Sequence, residues 1–139
     1  MKQWLVVLAL LTFLFGSSLI RADSDGTAEA TAAAKAWLGV VDAGDYEKSW
    51  DEAAALFRQR VKKAEWQKSV GAVRGETGAM KTRELESTKA EHRLPGVPDG
   101  DYVVLTYRSS FAQYPSATET VATTRDADGR WRVAGYFVK

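Results

Sequence analysis

The spacing of apolar residues changes once along this chain, at Gly78, and that change limits the fold more than any other feature. Before it, apolar residues recur every three or four positions; after it, they alternate with polar ones. Ala30, Ala33, Ala34, Trp37, Leu38 and Val41 form one helical stripe, with Thr27 as the expected N-cap and Gly44 in the position of a left-handed C′ residue. Asp45 should cap a second helix, whose stripe runs Tyr46, Trp50, Ala53, Ala54, Phe57 and Val61. Gly44-Asp45 is then a tight helix–helix corner. A third helix carries Trp66, Val70 and Val73, and Gly71, Gly75 and Gly78 predict an irregular end for it.

Beyond Gly78, residues 82–90 read as a polar strand and 94–100 as a Pro/Gly-punctuated loop. Tyr102–Phe111 is a strong strand, 113–116 a turn, 118–125 a β-branched strand, 126–129 a hairpin turn and 130–138 the last strand. Helices first and strands afterwards, with short connections, define an α+β fold. The expected arrangement is three N-terminal helices packed on one face of a four-stranded antiparallel β-meander. Strict alternation places Trp131, Val133 and Phe137 on one face of the last strand, with Ala134, Tyr136 and Val138 on the other. Tyr102, Val104, Tyr136 and Val138 then form an apolar outer face that the helices do not cover. They are the candidate interface residues, and a homodimer through that face is one expectation.

The N-terminus carries a separate signal. Lys2 precedes an apolar run over residues 4–15, followed by small residues at Gly16-Ser17-Ser18 and at Ala22. This is the pattern of a secretory signal peptide. At the helical rise its 12 residues cover about 18 Å, short of the roughly 30 Å of a hydrocarbon core. The reading is a signal peptide over 1–22, cleavage near Ala22 and a single α+β domain over 23–139, placed in the bacterial periplasm or secreted. Were the segment kept, the domain would be a membrane-tethered interaction module. Cleavage takes Lys2 and Arg21 with it, so the net charge moves from +1 to −1. No Ile follows position 20, and Ala supplies 19 of the remaining residues. The 12 aromatic side chains of residues 23–139 must therefore fill much of the core.

Several stretches, in this order and spacing, resemble a bacterial exported family, domain of unknown function 4019. They are Ala-Lys-Ala-Trp-Leu at 34–38, Asp-Ala-Gly-Asp-Tyr at 42–46, Ser-Trp-Asp-Glu-Ala at 49–53, Leu-Phe-Arg at 56–58, Trp66 and Val-Arg-Gly at 73–75. Leu-Pro-Gly at 94–96, Pro-Asp-Gly-Asp-Tyr-Val-Val at 98–104, Glu-Thr-Val at 119–121 and Trp-Arg-Val-Ala-Gly-Tyr-Phe at 131–137 complete the set. The resemblance covers 30–138. It implies a cone-like shape similar to nuclear transport factor 2-like and cystatin-like folds, and it brings no catalytic residues.

Composition removes several classes of chemistry. With no Cys there is no disulfide, thiolate metal site or cysteine nucleophile, and one His cannot supply a two-histidine motif. No Gly-x-Ser-x-Gly elbow occurs. Near-neutral charge and an export signal argue against nucleic acid as a partner. No metal and no cofactor is expected. His92 reads as a solvated loop residue and 126–129 as a turn rather than a calcium loop. Gly71, Gly75 and Gly78 lack the context of a phosphate loop. Arg58, Arg60, Lys62 and Lys63 form a basic cluster suited to a solvated helix end or an anionic partner. Glu84, Glu86, Arg108, Glu119 and Arg132 lie within expected strands, where cross-strand ion pairs are the simplest role. A small hydrolase or isomerase would use Glu84 or Glu119 as a buried general acid or base. Catalysis is the lesser expectation; binding is the greater. Trp37, Trp50, Trp66, Tyr107, Phe111, Trp131 and Phe137 are the candidate lining of a pocket for a small apolar ligand.

Overall fold

The computed structural model describes residues 26–139. The expected leader and the Asp23 start lie outside the described residues. Four helices precede four strands: α1 (Thr27–Asp42), α2 (Tyr46–Asp51), α3 (Ala55–Arg60), α4 (Lys63–Thr77), β1 (Met80–Glu91), β2 (Tyr102–Phe111), β3 (Tyr114–Arg125) and β4 (Trp131–Val138). The strands form one open antiparallel sheet in the order β1-β2-β3-β4. The expected α+β meander is therefore present, with four helices in place of three.

Helix α1 buries Ala30, Ala34, Trp37, Leu38 and Val41 against the sheet. Its N-cap is Gly26 rather than Thr27, at φ 71°. A Cβ there would sit 2.5 Å from the Trp131 ring, so both the backbone angle and the close approach call for glycine. Gly44 makes the expected left-handed corner at φ 80°, and Asp45 caps α2 through the Lys48 amide at 3.3 Å.

The second expected helix divides because tertiary contacts override its spacing. Ala53 and Ala54 are fully buried, and the Ala54 amide donates to the Val133 carbonyl at 2.8 Å instead of continuing a helix. The chain thus dips to the free edge of β4 and restarts as α3, which covers an edge that would otherwise be open to pairing. Helix α4 runs regularly to Thr77 and ends at Gly78, past both Gly71 and Gly75. It buries Trp66, Val70 and Arg74, whereas Val73 is exposed.

Two corrections concern the sheet. The β2–β3 turn is Ala112-Gln113, and residues 114–116 belong to β3. The turn is held to the α4–β1 junction by the Ala112 amide on the Ala79 carbonyl and the Gln113 amide on the Thr77 carbonyl, both at 2.8 Å. Pro115 is tolerated because pairing on the β4 side of β3 begins only at Thr118, which exchanges backbone hydrogen bonds with Lys139 at 2.9 Å, so no donor to that side is lost at 115. The second correction is a bulge in β4. Ala122 faces Gly135 while Thr123 faces Val133, which leaves Ala134 as an extra residue and reverses the alternation beyond it. Tyr136 and Val138 therefore lie on the helix-facing side, and Phe137, 66% exposed, lies on the outer side.

The core lies between α1, α4 and the sheet. Trp37, Trp66 and Tyr136 pack with ring centroids 5.5–6.4 Å apart, and Phe57 meets Trp66 edge-on at 5.1 Å. Among the described residues, no helix is long and apolar enough to cross a membrane.

Candidate functional site

The indole of Trp66 is fixed from behind. Its Nε1–H donates to the Ser49 hydroxyl at 2.9 Å, and that hydroxyl donates to the Tyr46 carbonyl at 2.6 Å. The Trp37 Nε1–H donates to the Ser49 carbonyl at 2.8 Å. Ser49, fully buried, thus ties α1 and α4 to α2 with hydrogen bonds that satisfy both indoles. Trp50 is held similarly, its Nε1–H on the Val61 carbonyl at 2.8 Å.

In front of Trp66 lies a cavity of about 450 Å³. Phe57, Val61 and Trp66 form its helical wall, and Tyr136 and Phe137 its strand wall. Its floor is Ala122, Ala134 and Gly135. Two methyl groups and a glycine at the β4 bulge leave the space that larger residues would fill. Leu94, Pro95 and Val97 roof it from the β1–β2 loop. The Arg60 Nη1 donates to the Gly96 carbonyl at 2.6 Å, and the Tyr102 hydroxyl donates to the Pro98 carbonyl at 2.5 Å. The roof is therefore fastened both to α3 and to the sheet. The lining is almost wholly apolar, and the volume falls within the roughly 300–1,000 Å³ of small-molecule sites.

Behind Tyr136 lies a buried charge network. Its hydroxyl donates to the Glu119 carboxylate. Glu119 is fully buried on the helix-facing side of β3, and it also accepts from Arg83 Nε at 2.7 Å and the Ser109 hydroxyl at 2.5 Å. Arg83 continues to Asp42 at 2.7 Å, and Asp42 pairs in turn with Arg74. The Arg74 guanidinium lies 4.9 Å from the centre of the Phe111 ring. Burial pushes the Glu119 carboxyl up. The hydrogen bonds from Arg83, Ser109 and Tyr136 and the Arg83 charge outweigh it, so the group is held below its ordinary value. Asp42 is likewise held low by Arg83 and Arg74 against its own burial. Tyr136 is pushed up by burial and by the Glu119 charge.

This geometry bears on the candidate general acids. Glu119 is buried, not part of a solvated cross-strand pair, and it stays ionised with its oxygens occupied. Glu84 is exposed near Arg108, which bonds Glu86 at 2.9 Å through Nε. Arg132 pairs with Asp126 and Asp128 in the 126–129 turn at 2.8–3.0 Å. His92 is exposed, 3.3 Å from Asp101. Among the described residues, no group of three or more His, Asp or Glu side chains is placed to hold a metal ion.

Of the expected lining residues, Trp66 and Phe137 border the cavity. Trp37, Tyr107, Phe111 and Trp131 are buried elsewhere in the interior, and Trp50 lies between Arg58 and Lys63, which face its ring at 6.0 and 5.2 Å. The four expected interface residues do not share a face. Tyr102 and Val104 lie on the outer side, with Tyr102 covered by the loop; Tyr136 and Val138 lie on the other. Sequence reasoning missed Asp42, Arg74, Arg83 and Ser109. A signal for Glu119 was present: Ala117, Glu119, Val121 and Thr123 alternate on one face, so a carboxylate sits in line with a core valine.

These features define a small α+β domain with an open antiparallel sheet, a side cavity with apolar walls and an internal ion network. The chain belongs to a family described as "Protein of unknown function (DUF4019)", whose model matches residues 33–136. The match takes in α3, α4 and the β1–β2 loop and runs into β4 as far as residue 136. A search of the curated proteins finds no match to the chain.

Proposed function

We propose that this chain is an exported, non-catalytic binding domain that takes a small apolar ligand into the cavity between α3, α4, the β4 bulge and the β1–β2 loop. One observation carries the reading: the cavity, about 450 Å³, is preformed, with its aromatic wall held from behind by Ser49 and its roof fastened by Arg60. A site that needs no reorganisation spends little of its binding free energy on ordering side chains. An apolar ligand leaving water for such walls gains in proportion to the area it buries. Glu119 supports binding over acid–base chemistry, because Arg83, Ser109 and Tyr136 occupy both of its carboxylate oxygens and a general acid or base needs one within reach of the ligand. The signal-like segment over 1–22 supports export to the periplasm or beyond.

The test is a titration with N-phenyl-1-naphthylamine, a neutral dye that brightens in apolar sites. The wild type should bind it saturably. Ala122→Phe, which fills the floor, should weaken binding at least tenfold while circular dichroism stays unchanged, and Ala134→Leu should act in the same direction. Equal dye binding by wild type and both folded variants would place the ligand elsewhere.

A further inference from the structure

The mouth of the cavity differs from its walls. Arg60, the last residue of α3, is exposed and also lines the cavity, so its guanidinium stands where the space opens to solvent. One of its nitrogens is used on the Gly96 carbonyl. Among the described residues no carboxylate lies within 4.0 Å of Arg60 or of its neighbours Arg58 and Lys62. Asp99, on the roof loop, is paired to Arg93 at 3.4 Å. The mouth thus carries uncompensated positive charge above an apolar chamber. A planar guanidinium with free N–H groups binds a carboxylate through two parallel hydrogen bonds.

Resting on the reading of the cavity as a ligand site, we propose that its ligand is a single-chain amphiphile with an anionic head. The apolar body occupies the chamber beside Trp66 and Gly135, and a carboxylate head at the mouth is held by Arg60. A diacyl lipid, with its two long tails, is too large for a chamber of about 450 Å³, whereas one short chain fits it.

Isothermal titration of the domain with decanoate, decanol and decyltrimethylammonium tests this. The wild type should bind decanoate about tenfold more tightly than decanol, and the cation most weakly. Added salt should narrow that gap, since the mouth is exposed. Arg60→Gln should abolish the preference for decanoate over decanol, and Arg60→Lys should keep part of it. The ratio of the two affinities is the readout, because loosening the roof would weaken both ligands together. Equal binding of decanoate and decanol by the wild type would overturn the anionic head and leave the apolar site standing. Binding of none of the three would remove both. Cosedimentation with phosphatidylglycerol vesicles that is lost in Arg60→Gln would assign the arginine to a membrane surface and so also overturn the proposal.

Discussion

Glu119 illustrates how a polar residue can be both costly and necessary. Taken out of water, its charge is tolerated only because Arg83, Ser109 and Tyr136 occupy both oxygens. Replacing it with Gln would leave the Arg83 guanidinium without one of its two carboxylates. We expect Glu119→Gln to lower stability by about 3 kcal/mol, measured by urea unfolding, in line with the cost of breaking a buried pair. The pH dependence follows from the same contacts. Glu119 and Asp42 have folded values below their unfolded ones. Their contribution is therefore complete above the ordinary carboxylate range, about pH 4, and is lost as the pH falls through the lowered folded values. The wild type should lose stability steeply below about pH 4, and Glu119→Gln less steeply. A parallel decline in the two proteins would contradict this role. The alternation of β3 already marks Glu119 as a core-facing residue. Its chief partner is not legible in the same way: Arg83 lies 36 positions before it, and nothing local in β1 or β3 announces the pairing.

Among the elements, local pattern specified most and tertiary contact decided the remainder. The α1 stripe and the bounds of β2 follow from periodicity alone. The division of the second helix does not, because no Gly or Pro interrupts residues 46–61, and the break comes from an amide claimed by the Val133 carbonyl. The β4 bulge is equally silent in sequence, since inserting one residue leaves both faces apolar. Yet it sends Tyr136 to Glu119 and Phe137 outward, and it sets small residues on the cavity floor. For that reason Tyr136, Phe137 and Val138 each lie on the face opposite to the one that strict alternation gives them. Ser49 is the link between helices whose loss should be most visible. Ser49→Ala would leave the Trp66 Nε1–H unpartnered in the interior. Its expected cost is about 1–2 kcal/mol in thermal or chemical unfolding. The folded variant should also bind the naphthylamine dye more weakly, because Trp66 is then free to tilt into the cavity. Unchanged stability and dye affinity would show that this hub does not position the wall.

For the whole molecule, the helices and the sheet are held together by two different means, an aromatic core and an ion network, and the cavity lies beside both. Its walls come from segments far apart in sequence: α3 and α4, the β1–β2 loop, and the bulged end of β4. That dispersion explains why most of the residues that line it carry no shared signal in the sequence. With no Cys and a single His in the sequence, nucleophile and metal chemistry are limited, and among the described residues that line the cavity there is no Asp or Glu. Whether this space binds an apolar ligand is read residue by residue from heteronuclear NMR of the labelled domain during a decanoate titration. Saturable shifts are expected at Ala122, Ala134, Gly135, Tyr136 and the 94–97 roof, with the amides of β1 unmoved. Shifts absent from those residues, or spread evenly over the surface, would contradict binding there.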